Sequence, residues 1–415
     1  MSVYYIDLQN GNDLNDGLTP ENARKSYTDL PLEAGDSVLF CRGSFIRDCL
    51  HTKKYVSYGA YGEGENPTFC GSIDASMRED WEKTEKTNVW KYKNLTIGDT
   101  ANLIFNENSC TATLRWSMDE LVGQGDFFSI KSPEDEAARK WDAMAELYLY
   151  SVGNPADVYS HIEIAPYGTR NLGELRDGTT FEDLRFINSG VHGLSGVASD
   201  VIARRCVFEN IGGCPWNKEL KIRFGNGFEV WHNGHNILVE ECAFKNVYDS
   251  CVTYQGPGDK TVPTKHFNCR SCTFDTYGMA AFEYRDVLPI DSSFENNVCL
   301  NAGCGFAMLG EELPRYSEIW PEPMGHHIFL WRIPRASEGG SLKIVNNYFG
   351  PAPVGAAIYS IISKEAEAQI TLDNNTYTEN DTLLNHFGGK SYTCLEKYKS
   401  ETGMDKNSAY YCKGE

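Results

Sequence analysis

The segment VEECAFKN, residues 239–246, is one of seven short segments that decide the fold. The others start at residues 181, 203, 269, 294, 344 and 372. Each contains two positions that are two residues apart, and such positions lie on one face of a β-strand. The first position is apolar or Asn: Leu184, Cys206, Cys242, Cys272, Asn297, Asn347 and Asn375. The second is Cys299 or an aromatic residue: Phe186, Phe208, Phe244, Phe274, Phe349 and Tyr377.

These two columns predict strands that stack in parallel register, because aromatic rings stack and Asn side chains hydrogen-bond from one strand to the next. The second-column residues are separated by 22, 36, 30, 25, 50 and 28 residues. A coil of stacked strands accepts this variation, since extra residues only lengthen its turns. The sequence therefore predicts an all-β protein, a right-handed parallel β-helix with a β-rich insertion.

A second apolar column follows the segments, each time after a turn. We expect its members to face the inside of the coil: Leu194, Phe228, Val252, Phe282, Phe306, Ile358 and Leu384. Because side chains alternate along a strand, the residues on either side of this column are expected to face outward.

The first 60 residues contain strand and turn motifs in a characteristic order: YYID at 4–7, NGND at 10–13, NDG at 15–17, GDSVLF at 35–40 and RGSF at 42–45. This opening resembles the start of β-helix carbohydrate-active enzymes of the pectin-lyase-like type. The resemblance implies the same fold and a carbohydrate substrate. We predict an N-terminal cap and first turns over 1–80, a β-rich insertion over 81–165, and the β-helix core over 166–415, with a long loop near 309–340.

Composition excludes several classes of partner. The chain has 58 acidic and 38 basic residues and a formal charge of −20, which makes nucleic acid a poor partner. It has no apolar run long enough to span a membrane and no N-terminal signal pattern. Several of its 14 cysteines occupy apolar column positions. We therefore expect free thiols and a cytoplasmic protein, with secretion from a longer precursor as the alternative.

Two glutamates in the outward column are the first candidates for catalysis. Glu229 and Glu283 follow the inward Phe228 and Phe282 and are separated by one intervening strand. Strands in a sheet stack at about 4.8 Å, so the two backbones are expected to lie roughly 9.6 Å apart. Inverting glycosidases hold their two carboxyl groups about 6.5–9.5 Å apart. The alternative is a pair of merely solvated acidic side chains.

Asp249 is a third candidate. The sequence around it, Asp249-Ser250-Cys251-Val252, follows Asn226-Gly227-Phe228-Glu229 by one turn of the coil. This arrangement resembles the polygalacturonase family, in which the aspartates of two such strands are the acid and base. The resemblance implies a catalytic role for Asp249. Ser250 and Asn226 replace two of the family's aspartates, so it supports the location of the site more than polygalacturonase activity.

Six residues near these carboxylates are predicted to bind substrate: Trp231, His232, Gln255, Tyr284, Arg285 and Trp331. Indole rings can stack on a sugar, and the amide and guanidinium groups can bind hydroxyls. His326, His327 and Trp331 fall in the long interval between the fifth and sixth segments, which we interpret as a loop that covers the site. For His232, the alternative is a turn residue that is hydrogen-bonded to the backbone.

The leading functional hypothesis is a glycoside hydrolase that acts on an oligosaccharide or polysaccharide by carboxylate acid–base catalysis. One alternative is a polysaccharide lyase that acts on a uronate, and another is a non-catalytic glycan-binding β-helix. The pair Cys269 and Cys272 has no second pair to complete a zinc site. We therefore expect neither a metal nor a cofactor.

Overall fold

The computed structural model of the protein describes residues 1–168, 171–307, 324–378 and 385–411. The predicted parallel β-helix is confirmed: three long sheets run along the coil, and successive turns of the chain add strands to them. Sheets 1 and 2 have ten strands each, and sheet 3 has nine.

Neighbouring strands in each sheet are hydrogen-bonded in spatial order along the coil. Sheet 1 consists of Val3–Ile6, Ser37–Cys41, Ser57–Tyr61, Thr180–Glu182, Val201–Arg204, Ile237–Glu240, Phe267–Arg270, Ser292–Glu295, Leu342–Val345 and Ile370–Asp373. Sheet 2 consists of Phe45–Ile46, Thr68–Cys70, Arg185–Ser189, Val207–Ile211, Ala243–Val247, Thr273–Tyr277, Val298–Ala302, Tyr348–Phe349, Thr376–Thr378 and Ala409–Tyr411. Sheet 3 consists of Asn171–Glu174, His192–Gly196, Phe228–Val230, Ser250–Tyr254, Ala280–Arg285, His326–Ile333, Ile358–Ile362, Asn385–Phe387 and Lys390–Tyr392.

Helices are few and short. The α-helices are Pro133–Ala137, Pro155–Val158, Lys364–Glu367 and Leu395–Thr402. The 3-10 helices are Pro20–Asn22, Arg78–Asp80, Met118–Glu120 and Gly305–Ala307. None of the helices in the described ranges is both long enough and apolar enough to cross a membrane.

The insertion is a mainly antiparallel unit between two adjacent turns of the coil, because Thr68–Cys70 pairs directly with Arg185–Ser189. Its four-stranded sheet consists of Cys110–Thr111, Thr100–Phe105, Ile162–Pro166 and Ile73–Asp74. Its six-stranded sheet consists of Thr113–Leu114, Asp126–Ile130, Met144–Tyr150, Val89–Tyr92, Trp81–Lys83 and Thr96–Ile97. The first inserted strand thus begins at Ile73, before the boundary at 81 that the sequence suggested. A separate hairpin, Cys214–Asn217 with Ile222–Phe224, extends from the coil beside the insertion.

The core of the coil is a stack of buried aromatic rings. Phe208 and Phe244 stack at 4.7 Å between ring centroids, and Phe244 and Phe274 stack at 5.1 Å. Phe186 continues the stack at 5.4 Å from Phe208. The stacking predicted from the second column is therefore confirmed, because parallel in-register pairing places equivalent residues directly above one another.

The Asn residues of the first column form a buried hydrogen-bonded ladder. The Oδ1 atom of Asn347 accepts from the backbone N–H of Asn297 at 3.0 Å, and that of Asn375 accepts from the N–H of Asn347 at 3.0 Å. The Nδ2 atom of Asn347 donates to the carbonyl of Phe294 at 3.0 Å. At the corner between sheets 1 and 2, these backbone N–H and carbonyl groups have no partner in a neighbouring strand. The Asn side chains form the hydrogen bonds instead.

One stretch of the sequence prediction was wrong. Phe306 lies in a 3-10 helix, and the strand that pairs in register with Phe282 contributes Ile328 instead. The sequence analysis did not predict the strand His326–Ile333, because this strand does not contain the two-column motif of the seven segments. The predicted loop near 309–340 therefore contains a full strand. Its part from 308 to 323 lies outside the described residues, as does Leu384.

The thirteen cysteines of the described ranges are free thiols. Cys206, Cys242 and Cys272 are buried in the core, where each thiol packs as a small apolar group.

We predict that Asn347→Ala lowers the free energy of unfolding by about 2 kcal/mol or more. The substitution leaves the Asn297 N–H and the Phe294 carbonyl buried without these partners, and each such group costs about 1–3 kcal/mol. Denaturant unfolding followed by fluorescence measures the change. Asn94→Ala, at an exposed position, is the control. Equal midpoints for the two variants would contradict a stabilising ladder.

Candidate active site

The candidate site lies on the outer face of sheet 3, where one column of side chains runs across successive strands. Ser195 pairs with Glu229, Glu229 with Thr253, Thr253 with Glu283, and Glu283 with Phe329. The two glutamates are thus separated by one strand, as the sequence indicated, and their backbones lie roughly 9.6 Å apart. Both are buried: Glu229 is 5% exposed and Glu283 is 0% exposed.

Glu229 lies against His192 and Asn226. The Oε2 atom of Glu229 is 2.9 Å from Nδ1 of His192, which sits at the start of the preceding strand. Burial by itself raises the pKa of Glu229, but His192, Asn226 and the charge of Arg285 together hold it below its usual value. Glu229 is therefore the carboxylate of the site that favours the ionised form.

His192 has a second partner that ties it to the strand edge. Its Nδ1 atom accepts from the backbone N–H of Asn226 at 3.1 Å, and the Asn226 Oδ1 atom accepts from the N–H of Ser250 at 3.0 Å. A single ring nitrogen cannot accept from the backbone and donate to a carboxylate at once. The two contacts therefore belong to different protonation forms of His192: with a proton on Nδ1 the ring donates to Glu229 and stabilises the ionised carboxylate, and without that proton the ring accepts from Asn226.

Glu283 has a different environment. Its Oε2 atom is 2.6 Å from the hydroxyl of Ser250, and its Oε1 atom accepts from Nε of Arg285. Complete burial raises the pKa of Glu283, and the nearby charge of Asp249 raises it further, against the opposing effect of Arg285. Glu283 is therefore the carboxyl group that favours the protonated form.

Asp249 lies at the turn into the strand Ser250–Tyr254 and is also buried. Its backbone N–H donates to the carbonyl of Gly225 at 3.1 Å, and its own carbonyl accepts from Met279 at 3.1 Å. These bonds fix Asp249 between two turns of the coil. Its charge is close enough to Glu283 to raise the pKa of that carboxyl group. Asp249 therefore lies close to Glu283, the second glutamate of the column.

Two hydroxyl groups of the same column are buried without a hydrogen-bond partner in the described part of the chain, those of Ser195 and Thr253. Thr253 lies between the two glutamates in the sheet register. Buried polar groups are normally paired, so unpaired hydroxyls on this face indicate a place for water or a polar ligand.

Three of the predicted substrate-binding residues lie at the edge of this column. Trp231, Gln255 and Arg285 come two residues after Glu229, Thr253 and Glu283, and all three are half-buried. Gly256 has a positive φ of 94°, and a Cβ there would lie 2.8 Å from the Trp231 ring. This close approach fixes the position of the indole ring.

Tyr284 and His232 do not have the predicted positions. Tyr284 faces the inside of the coil, where it stacks on Tyr254 at 5.1 Å, because it lies two residues after the inward Phe282. The His232 ring is fully buried in a turn, with Nδ1 2.9 Å from the carbonyl of Gly256. Neither side chain can reach a substrate on the outer face.

The residues expected in a covering loop lie in the strand His326–Ile333. Burial lowers the pKa of His326 to about 3 and that of His327 to about 4, so both rings are neutral at physiological pH. Trp331 pairs in register with Arg285 and is 8% exposed, packed near Met279. Trp331 therefore adjoins the site, but its ring is largely covered.

Sequence reasoning did not assign roles to His192, Asn226 and Ser250, which hold the carboxylates. A signal for them was present: each lies three residues before the outward column on three successive strands of sheet 3, with His192 and Ser250 at the start of their strands and Asn226 two residues before Phe228. Across the described ranges, no group of three His, Cys, Asp or Glu side chains has an arrangement that would hold a metal ion.

Comparisons with solved structures agree with the fold. Pectate lyase Pel9A is 13% identical with a TM-score of 0.52, and the match covers 100% of this chain and 79% of that one. The complex of XylC with xylose is 10% identical with a TM-score of 0.50, over 98% of this chain and 82% of that one. No protein-family model matches the sequence, and no curated protein matches it. These likenesses concern the fold alone, and they agree with the parallel β-helix that the sequence predicted.

Proposed function

We propose that this protein is a glycoside hydrolase, with Glu283 as the general acid and Glu229 as the general base. The proposal depends on one observation. Glu229 and Glu283 lie in the same column of sheet 3, but the surroundings of Glu229 lower its pKa whereas those of Glu283 raise its pKa. Acid–base catalysis of glycosidic bond cleavage requires one protonated and one ionised carboxyl group, and their environments set which is which.

In this mechanism Glu283 donates its proton to the oxygen of the leaving sugar as the bond to the anomeric carbon breaks. Asp249 keeps the acid protonated through its negative charge. Ser250 and Arg285 hold the two carboxyl oxygens in place. Proton transfer from a positioned side chain accelerates such a step by about 10²–10⁴-fold.

Glu229 takes a proton from water as that water attacks the anomeric carbon. The Thr253 hydroxyl lies between the two glutamates and has no partner in the described part of the chain, so it is suited to orient the water. Glu229 leans towards His192 on the preceding strand, away from Glu283. This orientation favours a wide distance between the two carboxyl groups, with room for a water molecule. A retaining pair would have carboxyl groups roughly 5–5.5 Å apart.

A uronate lyase is the second candidate, because Arg285 keeps its positive charge beside a protonated Glu283 and can meet a substrate carboxylate. The lyase remains the alternative outcome of the assay, since an unsaturated uronate product absorbs in the ultraviolet.

We predict that Glu283→Gln and Glu229→Gln each lower kcat by at least about 10²-fold, because each removes a positioned proton-transfer group. The assay is release of reducing sugar from a substrate found by screening aryl glycosides and neutral oligosaccharides. Glu174→Gln changes an exposed carboxylate at the start of the same sheet and is the matched control. Near-native turnover in both site variants would refute the assignment.

We predict that the first-formed sugar has inverted anomeric configuration, because Glu229 leans towards His192 and away from Glu283, which leaves room for a water molecule between the two carboxyl groups. Proton NMR of the product in the first minutes of reaction distinguishes the two anomers before they equilibrate. A product with retained configuration would mean that Glu229 attacks the sugar directly.

We predict that Asp249→Asn shifts the alkaline limb of the kcat/KM profile to lower pH. The acid Glu283 must be protonated, so activity falls as pH rises through its pKa. Removing the charge of Asp249, which raises that pKa, brings the fall to lower pH. The profile of Glu174→Gln should match the wild type, and an unmoved limb in Asp249→Asn would show that Asp249 does not act on the acid.

A further inference from the structure

A polar cavity of about 370 Å³ lies outside the carboxylate site, between the insertion and the hairpin Cys214–Phe224. One wall is the segment from Lys131 to Trp141 in the insertion, and the other is the hairpin with its turn. The catalytic assignment above uses none of the residues that line this cavity.

An exposed indole ring marks the hairpin wall. Pro215 pairs with Arg223 and Asn217 with Ile222, so Trp216 falls at an irregularity of the ladder. A residue at such a bulge is turned away from the regular pattern of side chains. Trp216 is 49% exposed and lines the cavity, so its ring offers an apolar face there.

The cavity is joined to the carboxylate site by packed rings. Trp141 stacks on Tyr167 at 5.8 Å and meets Phe224 edge-on at 5.6 Å. Phe224 in turn lies 5.7 Å from the ring of His192, which contacts Glu229. The cavity therefore lies two packed rings, Trp141 and Phe224, away from His192.

The charges that line the cavity floor neutralise one another. Asp99 is buried and bound on both oxygens, by Lys131 at 2.9 Å and by Lys218 at 2.7 Å. Lys218 also pairs with Glu136. The two lysines are consequently not free to bind a carboxylate or a phosphate group.

At the rim, Arg139 and Glu219 are exposed on opposite walls. Neither side chain has an ion-pair or hydrogen-bond partner among the residues that the structure describes. Together they offer donors from one wall and acceptors from the other, the set that sugar hydroxyls can satisfy.

We propose that this cavity is a binding subsite for an uncharged sugar unit of an oligosaccharide. The identity of the ligand as the glycan that is cleaved rests on the proposed function, whereas the binding site itself rests on the cavity. The aromatic ring supplies an apolar face, and the neutralised floor favours a neutral sugar over a uronate. The protein thus selects neutral chains that extend several units beyond the cleaved bond.

The test is isothermal titration of the full chain carrying Glu283→Gln, which is expected to bind glycans without cleaving them. The probes are cello-, xylo- and manno-oligosaccharides of two to five units, with oligogalacturonates of the same lengths. We expect Trp216→Ala in this background to weaken binding of the longer neutral chains by about tenfold, which corresponds to about 1.4 kcal/mol. Phe45→Ala, at a similarly exposed ring on sheet 2, is the control and should leave binding unchanged.

Equal affinity with and without Trp216, tighter binding of oligogalacturonates than of neutral chains, or no binding of any neutral probe would each overturn the subsite. The outcome for the proposed function is separate. If Glu283→Gln retained turnover, the acid assignment would fail, while a loss of affinity in Trp216→Ala would still establish the binding site.

Discussion

In-register stacking of parallel strands is the constraint on which the rest of this structure depends. Each strand pairs with the strand one turn further on, so every position along the chain joins a column with a spacing of about 4.8 Å. The aromatic stack and the Asn ladder keep that register along the length of the coil. The same register sets the spacing of Glu229 and Glu283, because both belong to one column of sheet 3.

Burial converts this column from a row of acidic side chains into a chemical site. Exposed carboxylates on a solenoid would all be ionised and equivalent. In this protein Glu229 has the ring of His192 beside it, whereas Glu283 has a second buried carboxylate, Asp249, in its surroundings. In the proposed mechanism, this difference lets one group give a proton while the other takes one.

The insertion adds a second surface beside sheet 3. It leaves the coil between two adjacent turns, and its segment up to Trp141 faces the hairpin beside the upstream end of sheet 3. A parallel coil alone presents a shallow outer face. The insertion and the hairpin add a wall to that face, and the packed rings of Trp141, Phe224 and His192 hold this wall in a fixed position next to the carboxylates.

The sequence by itself determined the coil and the common column of Glu229 and Glu283, because strand alternation and repeat position are local properties of the chain. Alternation also implies the inward position of Tyr284. Only the tertiary structure revealed the strand His326–Ile333, which carries no repeat motif, and the burial of His232 in its turn. It alone showed that the surroundings of Glu229 lower its pKa and those of Glu283 raise its pKa. Burial and charge act through space, and the groups responsible, such as His192 for Glu229, come from different turns of the coil.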